Sequence, residues 1–318
     1  MSASLTLPMH SDGLHLCLAE LLLYKNQTIH WLPPNKSIWS QLNGQHISRS
    51  KGRGMNFSEV RQYQAGDDIR SIDWRVTART GKTHTKLFTE EREQPVMLFI
   101  DISPTMRFGS KLLLKSVQTA HFASLISWLA VKQNDRVGAV IFTGDKLIEC
   151  KPTARQQGPL NIINQLVALH NNTNQSSETT QIPLIDAFKH LHQLCPKGSE
   201  IVMISDFHHL KEEHKVILRK IRHHNRLQLV SISDALERGQ TQFTGSVTVS
   251  DNANQQSAWL NFANKRTKQL LSNSFQQRHD FIAELCRSLG LPFFQIFADL
   301  PLLDQLRTNH RSVPKQEG

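Results

Sequence analysis

The chain has 318 residues, 39% of them hydrophobic and 20% charged, with 15 Gly and 12 Pro, a composition that excludes a disordered or fibrous protein. Lys and Arg number 37 against 27 Asp and Glu, and the formal charge of +10 directs attention to anionic partners, nucleic acid among them. Cys17, Cys150, Cys195 and Cys286 are scattered without a C-x-x-C pair, which argues against a zinc or dithiol site and for reduced thiols.

Met1–His10 has no Lys or Arg ahead of an apolar run, so no secretory signal is visible. The longest apolar stretches, Leu16–Leu23 and Phe122–Val131, fall short of the roughly 18–20 residues that a membrane-spanning helix needs. A soluble, cytoplasmic chain with no membrane span is the expectation.

In chain order, Gly13–Tyr24 reads as an amphipathic helix, and Trp31-Leu-Pro-Pro-Asn interrupts it. Arg49–Arg92 has a different texture, with ten Lys or Arg, six Asp or Glu and four glycines at turn-like positions. From Pro95 onward, strand and helix patterns alternate. Pro95–Asp101 is a continuous apolar run closing on an acid, as expected of a strand buried on both faces. Ser110–Lys132 has helical spacing, Arg136–Phe142 is a second strand, and Leu147–Lys151 is a short edge piece after a Gly144-Asp145 turn. Helices are expected over about 156–170 and 182–195, with a polar loop, His170–Gln181, between them.

Glu200–Asp206 repeats the grammar of the first strand and again closes on aspartate. A charged helix at Leu210–His224, a strand at Leu227–Ser233 and a ribbon at Thr241–Val249 follow. A long helix over about 256–288, a strand at Leu291–Phe297 and a short terminal helix complete the chain. This alternation predicts an α/β fold with a doubly wound, mostly parallel sheet over 95–318. Residues 1–94 are expected to form an N-terminal α+β layer packed on that core.

In open α/β sheets, ligands bind outside the carboxyl ends of the strands. Two predicted strands end there in aspartate, one as Asp101-Ile-Ser103-Pro-Thr105 and the other as Ile204-Ser205-Asp206. Carboxylates and hydroxyls are hard oxygen donors that suit Mg2+, and Thr173, Thr179 and Thr180 of the polar loop are candidates for a further ligand. The same residues also suit a plainer role, because Ser, Thr and Asp ahead of a helix cap its free N–H groups.

Phe57-Ser-Glu-Val-Arg-Gln-Tyr-Gln-Ala-Gly-Asp-Asp-Ile-Arg-Ser-Ile-Asp-Trp-Arg-Val-Thr-Ala-Arg79, then Lys86 to Arg92 and the Asp101-x-Ser-x-Thr run, carry a resemblance. Together they resemble the bacterial domain family of unknown function associated with MoxR-type AAA+ ATPases, whose core is similar to a von Willebrand factor A domain. The resemblance implies a Rossmann-like core bearing a metal-ion-dependent adhesion site for Mg2+. In such a site the residues matching Ser103 and Thr105 ligate directly, those matching Asp101 and Asp206 act through water, and a loop threonine, here Thr179 with Thr173 and Thr180 as alternatives, adds a ligand. A partner's carboxylate completes the sphere, which is binding chemistry and not catalysis. This sequence departs from the pattern in having Thr105 where serine is usual, and Pro104 inside the motif.

Within the signature, Asp67, Asp68 and Asp73 alternate with Arg61, Arg70, Arg75 and Arg79. This segment is either a docking face, with Arg70, Asp73 and Arg75 as partner-binding residues, or an ion-pair network that clamps the N-terminal layer. Gly81-Lys82-Thr83 ends like a phosphate-binding loop, but Val76 stands where its first glycine is required. His208-His209 and His223-His224 flank a basic helix and read as a solvated face.

The reading that follows is a non-enzymatic, protein-binding adaptor for an acidic protein ligand, working with a MoxR-type AAA+ ATPase in protein remodelling or complex maturation. The alternative is a basic nucleic-acid-binding protein. It lacks a recognised motif, so no nucleic acid is expected.

Overall fold

The structure is a computed structural model and describes residues 6–31, 55–64, 67–90, 95–172, 181–241, 243–251 and 256–311. In chain order the elements are α1 (Leu18–Trp31), β1 (Met55–Gln62), α2 (Trp74–Thr80), β2 (His84–Glu90), β3 (Pro95–Asp101) and α3 (Lys115–Lys132). They continue with β4 (Arg136–Phe142), β5 (Leu147–Thr153), α4 (Gln157–Asn171), α5 (Leu184–Leu194), β6 (Glu200–Ser205), α6 (Lys215–His224) and β7 (Arg226–Ser233). The last are β8 (Ser246–Asp251), β9 (Gln256–Asn261), α7 (Lys265–Leu289), β10 (Phe293–Phe297) and α8 (Leu302–Arg311).

Six strands form one sheet in the order β10-β7-β6-β3-β4-β5. Every neighbouring pair is parallel except β4 and β5, which run antiparallel. The protein is therefore α/β, with a mixed, mostly parallel sheet flanked by helices. Alternate residues of β3 serve two cores, as period-two side chains must. Val96, Leu98 and Ile100 join a cluster with residues of α1, α3, α4 and α8, while Met97 and Phe99 join one with residues of α5, α6 and α7. Burial on both faces explains why the strand reads as an unbroken apolar run.

Helix α3 is buried from Lys115 to Ala130, so its polar residues need internal partners. Ser124 Oγ donates to the carbonyl of Leu21 at 2.8 Å, and His121 Nε2 meets Glu20 Oε2 at 3.2 Å. The hydroxyl of Tyr24 lies 3.0 Å from His121 Nδ1. A neutral imidazole satisfies both contacts by donating from Nε2 to Glu20 and accepting the Tyr24 hydroxyl at Nδ1. Helix α1 is thereby fixed to the α/β core through buried hydrogen bonds, not only through apolar packing.

In contrast to the expected division at residue 94, the chain separates into one compact unit of Met1–Asn43 with Gln94–Gly318, and a second of Gly44–Glu93. Composition marks the change of texture, but α1 is bound to α3 and belongs with the sheet. The second unit is a β1–β2 antiparallel pair with a bulge between Phe57 and Glu59, and α2 lies between the two strands in sequence.

Element boundaries differ from the sequence expectation in several places. Helix α3 starts at Lys115, not Ser110, because Leu113 N–H donates to the carbonyl of Ala298 and Leu114 N–H to that of Gly13. The long helix begins at Lys265 behind an Asn264 cap, and Gln256–Asn261 is a strand paired with β8. At the N-terminus, the helix expected at Gly13–Tyr24 runs from Leu18 to Trp31.

Candidate functional site

Strand order reverses at β3. The chain passes from β3 to β4 on one side and later returns to lay β6 on the other. The crevice outside the carboxyl ends of β3 and β6 is therefore the switch point at which such sheets bind ligands. Asp101 closes β3, and Asp206 directly follows β6.

Asp101 is buried; its carboxylate accepts the Ser103 N–H at 2.9 Å and the Ser205 hydroxyl at 2.5 Å. Burial, and then the negative charge of Asp206, push its pKa up to about 6. Ser103 precedes a short 3-10 turn, Pro104–Met106, and makes no side-chain capping bond there. Its hydroxyl instead lies 3.3 Å from that of Thr105. The capping role that competes for Ser103 on sequence grounds is therefore not the one its side chain takes.

The turn after β4 closes one flank. Gly144 has φ +96, and a Cβ there would meet Pro104 Cδ at 3.1 Å and Ser103 Cβ at 3.5 Å, so the turn's backbone presses on the motif. The carbonyl of Gly144 accepts the N–H of Ile182 at 2.8 Å, which brings the end of the polar loop beside the same turn. Thr173, Thr179 and Thr180 lie outside the described residues.

Asp206 is held differently from Asp101. Its Oδ1 accepts the His208 N–H at 2.8 Å, and its Oδ2 contacts Lys115 Nζ at 2.8 Å. Burial alone would raise its pKa, but the Lys115 ammonium outweighs that and holds it below the ordinary carboxylate range. The loop behind it is clamped by Arg278 of α7, whose Nη2 donates to the carbonyls of Phe207, His208 and Leu210. Phe207 between them sits at φ +52, a left-handed backbone conformation that costs a non-glycine residue roughly 1 kcal/mol or more.

The structure thus brings Asp101, Ser103, Thr105 and Asp206 into one crevice. Ser205, Lys115, Glu237 and Arg278 join them without any sequence expectation. Ser205 alone had a local signal, the Ile204-Ser205-Asp206 strand end; the others approach only through the fold. Among the described residues, no three or more His, Cys, Asp or Glu side chains converge as a metal-ligand group. The donor set at the switch point nonetheless fits a hard cation such as Mg2+, because two carboxylates that repel each other are joined by two hydroxyls. The rings of His208-His209 and His223-His224 pair at the surface, and of the four residues only His208 reaches the crevice, through its backbone.

In the unit of residues 44–93, the acids are spent locally. Asp73 accepts the N–H groups of Arg75 and Val76 and so starts α2, and it lies 3.6 Å from Lys86. Asp68 accepts the Arg70 N–H, and Asp67 pairs with Arg61 at 2.6 Å. Arg70 and Arg75 are exposed, as are Ile69 at 66% and Trp74 at 67%.

A family model described as "Protein of unknown function DUF58" matches residues 59–280, most of the chain and all of the crevice described above. The chain belongs to this family. Uncharacterized proteins of Mycobacterium bovis and Mycobacterium tuberculosis are 36% identical to this DUF58 chain over 103 residues. That match spans only 32% of this chain and 32% of theirs.

Two solved Bacteroides structures resemble it weakly. They are a conserved hypothetical protein BatB of Bacteroides thetaiotaomicron (13% identity) and an aerotolerance-related membrane protein of Bacteroides fragilis (12%). Each covers 69% of this chain and 100% of its own, with a TM-score of 0.38. A Vibrio fischeri chain titled as an uncharacterized membrane spanning protein is 17% identical over 70% of this chain and 100% of its own, with a TM-score of 0.20.

The expected cytoplasmic location is withdrawn; two of these neighbours are titled as membrane proteins, a description that is theirs alone. The expectation rested on the lack of a long apolar run, which does not fix a compartment. Among the described residues, no helix is long and apolar enough to cross a membrane.

Proposed function

We propose that the chain is a non-enzymatic adaptor: a von Willebrand factor A-like module that takes an acidic protein ligand through Mg2+ at the β3–β6 crevice. Its partner in this reading is a MoxR-type AAA+ ATPase, and the pair remodels or matures other proteins. One observation carries the reading. Two carboxylates and two hydroxyls, of which the Ser103 hydroxyl is not spent on a cap, meet at the switch point of the sheet. Ser103 and Thr105 would ligate the ion directly, and Asp101 and Asp206 would act through water. Thr179, or Thr173 or Thr180, would add a loop oxygen.

A divalent ion held there supplies a coordination position that a carboxylate oxygen of another protein completes. Among the described residues of the crevice, the Ser205 hydroxyl meets the Asp101 carboxylate, but Ser205 is fully buried and offers no nucleophile to a substrate. The Ser116 hydroxyl does lie 2.9 Å from His170 Nε2, but Ser116 is fully buried between α3 and α4, out of reach of a substrate.

Arg70 and Arg75, exposed like Trp74 and Ile69, are proposed as a separate partner contact carried by the 44–93 unit. Arg and Trp are the residues that most often dominate protein–protein contacts. Asp73 is committed to the start of α2, so its part in that contact is to present Arg75.

Capture of the AAA+ ATPase by the immobilised chain tests the reading, with Mg2+, with EDTA, and with Asp101→Ala. Capture in Mg2+ that is lost on both changes supports it. Capture indifferent to both removes the metal from the account, and no capture removes the partner.

A further inference from the structure

Lys115 is the first residue of α3, yet its side chain is 2% exposed and ends inside the crevice. Its ammonium touches Asp206 Oδ2 at 2.8 Å and Glu237 Oε1 at 2.6 Å. Desolvating an ammonium costs several kcal/mol, and close carboxylates repay that only when they are held in place. Both are held. Asp206 is bonded by the His208 N–H, and the other oxygen of Glu237 accepts the Asp234 N–H at 3.1 Å. The two carboxylates differ in access, with the Asp206 side chain 10% exposed and that of Glu237 33%.

Resting on the metal reading above, we propose that Lys115 is the resident cation of the crevice and competes with a divalent ion for Asp206, with Glu237 as its alternative partner. With the crevice empty of metal, the ammonium offsets the charge by which Asp206 repels Asp101. When Asp206 turns toward a bound divalent ion, Glu237 keeps the ammonium paired, so no buried charge is stranded. The movement is confined to the Asp206 side chain, because Arg278 pins the carbonyls of the next residues. Metal affinity is then set by the ammonium as well as by the ligands. A weak, exchangeable site follows, suited to coupling ion uptake to partner binding.

The sign of each substitution is fixed by charge. Lys115→Met removes a positive charge next to an ion-seeking acid and raises Mg2+ affinity by roughly tenfold or more. Glu237→Gln takes away the alternative partner, leaves Lys115 to Asp206 alone, and weakens Mg2+ binding by roughly threefold or more. The measurement is calorimetric titration of the full chain with MgCl2 alone, at constant pH and ionic strength, with thermal melts to verify folding.

Opposite shifts for the two variants, or binding seen only in Lys115→Met, are the expected results. Equal affinity in all three proteins, or loss in both variants, overturns the role of Lys115 while leaving the metal site standing. No binding by any of the three overturns the metal reading together with this one. If Lys115→Met does not fold, Glu237→Gln decides, since its side chain is partly exposed and its amide keeps the hydrogen bond to Asp234. Unchanged affinity there overturns the proposal.

Discussion

The β3–β6 crevice and the 44–93 unit use the same residue types for opposite ends. In the crevice, buried Asp101 and Lys115 flank the nearly covered Asp206, and Asp206 shifts the pKa of both neighbours while Lys115 shifts that of Asp206. In the 44–93 unit, Asp68 and Asp73 lie near the surface and each satisfies backbone N–H groups within three residues. Burial is the difference. A charge in low dielectric is felt strongly by its neighbours, whereas one in water does little beyond local capping. In the proposed function the crevice would bind the ion, and the 44–93 unit would present arginines and an exposed indole.

The comparison breaks most sharply where a buried partner is removed. His121→Leu leaves the Glu20 carboxylate without its imidazole and should cost about 3 kcal/mol in urea unfolding, with partial recovery in the double variant carrying Glu20→Gln. Full stability in the single variant would show that burial does not amplify these contacts.

Glu200, buried at the start of β6, sharpens the same point through pH. Burial dominates over the half-exposed Arg226 guanidinium 3.2 Å away and pushes its pKa up to about 8 from an ordinary 4.5. The native state therefore keeps a proton that the unfolded chain releases. The associated stability is whole below about pH 4.5 and is lost as pH rises through 8. Glu200→Gln should flatten that loss, for a gain on the order of 2 kcal/mol above pH 8 after discounting the screened ion pair. Parallel stability–pH curves for the two proteins would contradict it.

The 44–93 unit should respond least. Asp73→Ala removes an N-cap and should cost about 1 kcal/mol, whereas Arg75→Ala should change stability by less than about 0.5 kcal/mol while weakening partner capture. An Arg75→Ala chain that captures normally would confine the contact to the crevice.

The bounds of β3 and β4 are legible in the sequence because strands covered on both faces appear as unbroken apolar runs. Gln256–Asn261 is not legible as a strand, since its order comes from antiparallel pairing with the neighbouring Ser246–Asp251, which helical spacing does not register. The site divides in the same way. Asp101, Ser103, Thr105 and Asp206 stand at predicted strand ends, where a short motif reveals them. Lys115 reaches Asp206 across 91 residues and Glu237 across 122, and Arg278 reaches Phe207 across 71. No local pattern contains those contacts, and the charges that tune the crevice emerge only when the sheet is assembled.

The proposed divalent ion would sit in the crevice on the Ser103 and Thr105 hydroxyls. A crystal of the full chain grown with MnCl2 tests it most directly, because manganese can be located by its anomalous scattering. The account predicts a peak in the β3–β6 crevice about 2.1–2.2 Å from both hydroxyl oxygens, close to the distance for Mg2+. A crevice without such a peak, with Lys115 still on Asp206 at millimolar metal, would contradict it.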